Sequence, residues 1–287
     1  MPADKGLISN EEVKAIIELA LTEDRVWHDV TSHLVIPEGL TGTATLIAKA
    51  EGVLAGVEVF KVVILGVDSG IRIDLKMSDG AQLKAGDVVA TVSGGIRSIL
   101  KAERVALNFL CHLSGVATET SRYVAQVEGL PVSIADTRKT MPGQRLLEKY
   151  AVSVGGGHNH RMHLGDGILI KDNHIAALYR SGLSLREIVS QAKHDNNTGL
   201  KLEVEVTTMA EALEAAEAGA DILLLDNMKL NEIKQVVSRL KGQVRLEASG
   251  GITLENVRAV ALTGVDIISI GALTHSARAL DFSLELA

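Results

Sequence analysis

The 287-residue chain is predicted to be an α/β protein, a β/α barrel of parallel strands preceded by a smaller N-terminal α+β sandwich. Two observations in the second half carry this. After Pro131, short β-branched or leucine-rich runs alternate with helix-like segments: Val132-Ser133-Ile134, Ile168-Leu169-Ile170, Leu202 to Val206, Ile222 to Leu225, Val244 to Ala248 and Ile267 to Ile270. Each run stops at a polar residue or glycine, in order Asp136, Lys171, Thr207, Asp226, Ser249 and Gly271, which is where α/β barrels place chemistry. The last four stops recur every 19 to 23 residues, a βα spacing. Between them Met209 to Ala218, Asn231 to Leu240 and Leu254 to Leu262 are amphipathic and long enough to be outer helices. An incomplete or open barrel satisfies the same pattern, and a doubly wound open sheet is the alternative.

The first half reads differently. Asn10 to Leu21 is a helix with Asn10 as N-cap and Glu11-Glu12 in its first turn, favourable for the exposed N–H groups and the helix dipole. Thr43 to Ala50, Ile71 to Lys76 and Val88 to Ser93 are punctuated by Gly52, Gly56, Asp79-Gly80, Gly86-Asp87 and Gly94-Gly95, and read as antiparallel strands joined by tight turns. A long helical segment from Ile96 to about Val127, with Ser114-Gly115 as the place where it could break, leads into the barrel. The expected domains are 1–112, joined by the C-terminal segment 276–287, and 113–275.

Composition removes several classes of function. A net charge of −7 argues against bulk attraction to nucleic acid or anionic membranes, and 2% aromatic content leaves few stacking platforms for unpaired bases. No apolar stretch approaches the roughly 18 uncharged residues of a membrane span, and the segment from Met1 to Lys14 lacks a basic-then-apolar signal pattern. The expectation is a cytoplasmic protein. The single cysteine, Cys111, lies among Phe109, Leu110 and Leu113 and reads as a packed thiol.

Against this acidic background, Asp136 to His174 concentrates cations: Arg138, Lys139, Arg145, Lys149, Arg161, Lys171 and four of the nine histidines, against Asp136, Glu148, Asp166 and Asp172. Such a cluster suits a polyanion drawn in locally. Arg138-Lys139 and Lys171 each follow an apolar strand and project to one barrel mouth, whereas an isolated basic residue is ordinarily a solvated surface group. Ser249-Gly250-Gly251 and Gly271-Ala272 follow consecutive strands and precede helices, so bare N–H groups there can cradle a phosphate. Gly155-Gly156-Gly157 reads as a close-approach loop that lets His160 and Arg161 reach a ligand. His158-x-His160 on an extended segment could instead share a metal ion. His158 reads as a packing residue, and His163 has no role.

Eight blocks in order resemble the quinolinate phosphoribosyltransferase family: Asp136 to Gly143, Glu148 to Val152, Gly155 to Arg161, Lys171 to Ile175, Glu203 to Val206, Leu225 to Met228, Glu247 to Ile252 and Gly271 to His275. The resemblance runs essentially end to end, from Glu23-Asp24 and Asp29 to Ser32 through Ala102 to Leu110 to Asp281. It implies transfer of phosphoribosyl from phosphoribosyl pyrophosphate (PRPP) to quinolinate with decarboxylation, giving nicotinate mononucleotide, pyrophosphate and carbon dioxide in de novo NAD synthesis. It also implies a homodimer with a shared site, in which Arg104 crosses to the partner's substrate, while further assembly stays open.

On that resemblance Arg138, Lys139, His160, Arg161 and Lys171, with Arg104, bind the two carboxylates of quinolinate, for which guanidinium forks and ammonium donors are suited. Glu205 and Asp226 bind ribose hydroxyls and the metal-pyrophosphate, with Glu203 ranked second because strand alternation puts it on the face of Glu205. PRPP then contacts Lys139, Lys171, Glu205, Asp226, Ser249, Gly250, Gly251, Gly271 and Ala272, and the residues expected to act in catalysis are Lys139, Lys171, Glu205 and Asp226. The expected metal is Mg2+, carried with PRPP near Glu205 and Asp226 rather than caged by protein, and no organic cofactor is expected. Three rivals remain at this stage: a nicotinate phosphoribosyltransferase, which leaves the surplus cations unexplained; a lyase forming a Schiff base on Lys139 or Lys171; and a non-catalytic relative linked to molybdate transport, against which Lys171-Asp172-Asn173-His174 stands intact. Met141 and His163 depart from residues common in the family and affect only the loop's fine shape.

Overall fold

The computed structural model describes residues 4–286; residues 1–3 and 287, the ends of the expected N-terminal domain and of its C-terminal segment, lie outside the described residues. The strands, numbered along the chain, begin with β1 (Thr41–Ala48), β2 (Gly52–Val53), β3 (Arg72–Leu75), β4 (Gln82–Leu83) and β5 (Val88–Gly95). The parallel set is β6 (Ser133–Ala135), β7 (Ile168–Ile170), β8 (Leu202–Val206), β9 (Ile222–Asp226), β10 (Arg245–Ser249) and β11 (Ile267–Ser269), and β12 (Phe282–Leu286) follows.

The chain forms two compact units. The first holds the chain up to Ser121, with Thr140–Gly156 and the stretch from Ala272 onward; the second holds Arg122–Lys139 and Gly157–Gly271.

In the first unit β12, β1, β5 and β3 form an antiparallel sheet in that order, with β2 and β4 as a separate pair. Helix Glu11–Glu23 starts where the sequence places it, because the Asn10 side chain accepts the Glu12 N–H at 2.8 Å. Its Val13, Ile17 and Leu21 are buried at helical spacing.

Helix Ile96–Gln126 runs unbroken for 31 residues, so it does not break at Ser114-Gly115. Ser114 accepts the Ala55 N–H and Thr118 accepts the Val53 N–H, so their hydroxyls tie the helix to the β2 segment rather than interrupting it. Gly115 is required for close approach. A Cβ there would run into Arg278 O and stand 3.0 Å from Ala279 Cα, both backbone atoms. Gly115→Ala is therefore expected to cost about 3 kcal/mol by overpacking, read as a lowered thermal midpoint.

The second unit carries the six parallel strands in the order β6-β11-β10-β9-β8-β7. From β7 to β11 successive strands are neighbours, and β6 joins beyond β11, as in a barrel; a doubly wound sheet would reverse direction within the order. Among the described residues no ladder joins β6 to β7, so this is the incomplete form of the barrel. Helices Leu185–Asp195 and Met209–Glu217 open with capping boxes, Ser184 with Glu187 and Thr208 with Glu211. The segment after β10 is helical only over Val257–Ala261, shorter than its periodicity predicts. The Asn256 side chain accepts the Thr253 N–H and donates to Gly251 O, which holds the preceding residues in a turn. Among the described residues, no helix is long and apolar enough to cross a membrane.

Candidate active site

Alternation along the parallel strands sorts the second unit's residues onto two faces. Leu202, Val204, Val206, Leu223, Leu225, Leu246 and Ala248 are almost completely buried on one. The register aligns the others: Glu203 with Leu169, Glu205 with Leu224 and Leu224 with Glu247, then Asp226 with Ser249 and Ser249 with Ser269. The second face therefore carries Glu203, Glu205, Asp226, Glu247, Ser249 and Ser269, stepping toward the C-terminal strand ends.

His160 reaches this face through its backbone. His158 donates to Ile134 O and accepts from the Asp136 N–H, laying the segment parallel to β6. The fully buried Asp136 carboxylate then accepts the His160 N–H at 2.8 Å. The ring's Nε2 lies 3.2 Å from Glu203 Oε2 and 3.6 Å from Glu247 Oε2, on the two strands flanking β9. Burial opposes charge on this ring, but the nearby Glu203 and Glu247 carboxylates raise it to about 10. Burial likewise pushes Glu203 up, with His160 opposing.

Arg161 donates through Nη1 to Gly167 O at 3.1 Å. Its guanidinium is pushed down by burial and by the charge of Arg138, with Glu203 opposing. Two guanidiniums this close together form a site suited to an anion. Lys139 is exposed beside them, its N–H held by Thr137 Oγ1.

Lys171, exposed at the end of β7, places Nζ 3.9 Å from Glu205 Oε2. The Glu205 carboxyl is raised by burial and by the charge of Asp226, while Lys171 lowers it. Asp226 accepts from Asn227 Nδ2 at 2.8 Å, and Asn227 adopts a left-handed φ of 52°. Gly250 sits against that amide, where a Cβ would stand 2.5 Å from Asn227 Cγ. Asn227, Met228, Ser249, Gly250, Gly251 and Ile252 help line a cavity of about 590 Å3.

The second unit thus gathers His160 with Glu203 and Glu247, Arg161 with Arg138, and Lys171 with Glu205 and Asp226, while Ser249, Gly250 and Gly251 follow the adjacent strand. Gly271 ends the second unit; Arg104, exposed on helix Ile96–Gln126, and Ala272 belong to the first. The residues missed as functional are Asp136, Glu247 and Asn227. For Glu247 a signal existed, since it precedes Ser249 by two residues, as Glu203 precedes Glu205.

The sequence profile "Quinolinate phosphoribosyl transferase, C-terminal domain" matches residues 116–285, and "Quinolinate phosphoribosyl transferase, N-terminal domain" matches residues 29–114. The chain belongs to the quinolinate phosphoribosyltransferase family. It is 43% identical over 277 residues to the nicotinate-nucleotide pyrophosphorylase (carboxylating) of Mycobacterium leprae, covering 94% of this chain and 95% of that one. A probable enzyme of the same name from Bacillus subtilis is 39% identical over 275 residues, covering 96% and 93%. Among solved structures, NadC from Streptococcus pyogenes superposes with a TM-score of 0.90 at 41% identity, covering 95% of each chain. The parallel sheet and the separate antiparallel sheet are those of the quinolinate phosphoribosyltransferase fold.

Proposed function

We propose that the basic loop and the strand-end row divide the two substrates of the family's reaction between them. The chain transfers the phosphoribosyl group of PRPP to quinolinate with decarboxylation, a step of NAD biosynthesis. Arg138, Lys139, Arg161 and Lys171 take the two quinolinate carboxylates, with His160 standing behind Arg161 and Arg104 contributed by a second copy of the chain. Glu205 and Asp226 take the ribose hydroxyls. Ser249-Gly250-Gly251 and Gly271-Ala272 offer N–H groups to the 5-phosphate. The observation that carries this division is the pairing of charges: two guanidiniums, Arg138 and Arg161, stand together for an anion, while Lys171 stands with Glu205 and Asp226.

Magnesium fits the donor set, because Glu205 and Asp226 present hard oxygens whose mutual repulsion a divalent cation relieves. Bound with pyrophosphate, it supplies positive charge at the leaving group. The chain's residues do the rest by placement. The clamp aims the pyridine nitrogen at C1 of the ribose, Glu205 and Asp226 favour the positive charge that develops there, and Lys171 and Lys139 favour departing pyrophosphate. In the adduct the C2–carboxylate bond breaks, its electron pair stays on C2 beside the ring nitrogen cation, and C2 then takes a proton. Arg138 and Arg161 hold the remaining carboxylate while carbon dioxide leaves.

The active form in this reading is a homodimer in the cytoplasm. Its support is the exposed position of Arg104 together with exposed apolar side chains on the same unit, Trp27, Val30, Leu34 and Val35.

The test is product formation with magnesium and PRPP, using quinolinate in one reaction and nicotinate in another. Mononucleotide and carbon dioxide from quinolinate alone, abolished by EDTA and restored by magnesium, are expected. Product from nicotinate alone overturns the dicarboxylate clamp, and activity that survives EDTA overturns the metal assignment.

A further inference from the structure

Beneath the basic loop, Glu203 and Glu247 are 5% and 1% exposed, yet Glu203 Oε1 and both Glu247 carboxylate oxygens find no hydrogen-bond partner among the described residues. Buried carboxylates so poorly satisfied are costly to keep. The substrate roles assigned above leave Glu247 without a task. Both point at one group, the His160 Nε2.

Two chemistries fit a histidine and two carboxylates whose ligand atoms all lie within 4.8 Å of one another: a metal ion or a shared proton. The other ring nitrogen decides between them. His160 Nδ1 accepts the Arg161 backbone N–H at 2.9 Å. A ligating imidazole keeps its metal-facing nitrogen bare and donates from the other one. Here the other nitrogen is an acceptor, so the ring's proton is on Nε2, between the two carboxylates. The two carboxylates raise the ring's affinity for a second proton, which Nδ1 can take only by giving up the Arg161 N–H.

Every polar group of His160 that the hydrogen bonds account for is thus spent on placement. Its N–H holds Asp136, its Nε2–H bridges toward β8 and β10, and its Nδ1 fixes the backbone of the next residue, Arg161. We propose that Glu247, with Glu203, is a positioning residue that acts through the His160 ring to set where Arg161 stands in the quinolinate clamp. This rests on the reading of Arg161 as a carboxylate ligand.

The experiment compares wild type with Glu247→Gln, which keeps the shape but removes the negative charge and replaces one of the two acceptor oxygens with a donor. The quinolinate KM and dissociation constant are expected to rise about tenfold, with the PRPP KM within about twofold of wild type, as when one member of a coupled network is lost. A purely structural role would move both KM values together or lower the thermal midpoint, and either result overturns the proposal, as does an unchanged quinolinate KM. Nitrogen-15 spectra of the wild-type ring, independent of any variant's folding, are expected to show a protonated Nε2. A bare Nε2, or a thermal midpoint raised by Zn2+ or Mn2+ in wild type but not in Glu247→Gln, makes the trio a metal site instead. Wild type that binds no quinolinate at all overturns the clamp reading, and this inference with it.

Discussion

Lys171→Ala is expected to lower kcat/KM by about a thousandfold, at the upper end of what removing one preorganised charge from a transition state costs. Lys171 directly follows β7, so the strand delivers its backbone to a fixed point, and its N–H is tied to His174 Nδ1 at 2.9 Å. Its ammonium stands 3.9 Å from Glu205, whose carboxyl is already pushed up by burial and by Asp226. Removing Lys171 deletes a donor for the anions and leaves the two carboxylates facing each other without their nearest counter-charge on β7. The loss should therefore fall on kcat as well as on KM. Lys171→Arg should recover only part of it, because a planar fork does not replace a compact ammonium beside two substrates. Steady-state rates with each substrate varied in turn measure this, and a loss below tenfold would remove Lys171 from the chemistry.

What the sequence made legible depended on whether an answer was local. Strand endings are local: an apolar run closed by Lys171, Asp226 or Ser249 is readable without knowing its neighbours, and the gathering of Lys171 with Glu205 and Asp226 follows once the strands are parallel. The spacing from Ser249 marks the face on which Glu247 stands, but its pairing with Glu203 was hidden because it comes from register. Nothing in Arg245-Leu246-Glu247-Ala248-Ser249 says that β10 and β8 flank β9 and aim two glutamates at one imidazole. Ser114-Gly115, where the helix could break, stays helical for the same reason, since the need for glycine there lies in residues 278 and 279, over 160 positions away. The short helix Val257–Ala261 shows the reverse, a local hydrogen bond from the Thr253 N–H to the Asn256 side chain overriding an amphipathic period. The 158–160 segment falls between these cases: its cationic content was plain, but its course beside β6 was set by two backbone hydrogen bonds that composition cannot reveal.

Mixing Arg104→Ala chains with Lys171→Ala chains is expected to restore about a quarter of wild-type activity, although each variant alone is nearly inactive. The figure follows from symmetry. Random pairing makes about half of the dimers mixed, and in a mixed dimer one site combines an intact Lys171 with the partner's intact Arg104 while the other carries both defects. Arg104 lies on a helix whose Ala102, Val105 and Ala106 are buried, so its backbone is fixed while its side chain reaches into solvent. Its planar fork suits a carboxylate presented from outside the chain. If Arg104 served its own chain, every site in the mixture would carry one defect and nothing would be restored. Mixed dimers confirmed by two affinity tags but as inactive as their parents would therefore place Arg104 within its own subunit, and the shared site would have to be abandoned.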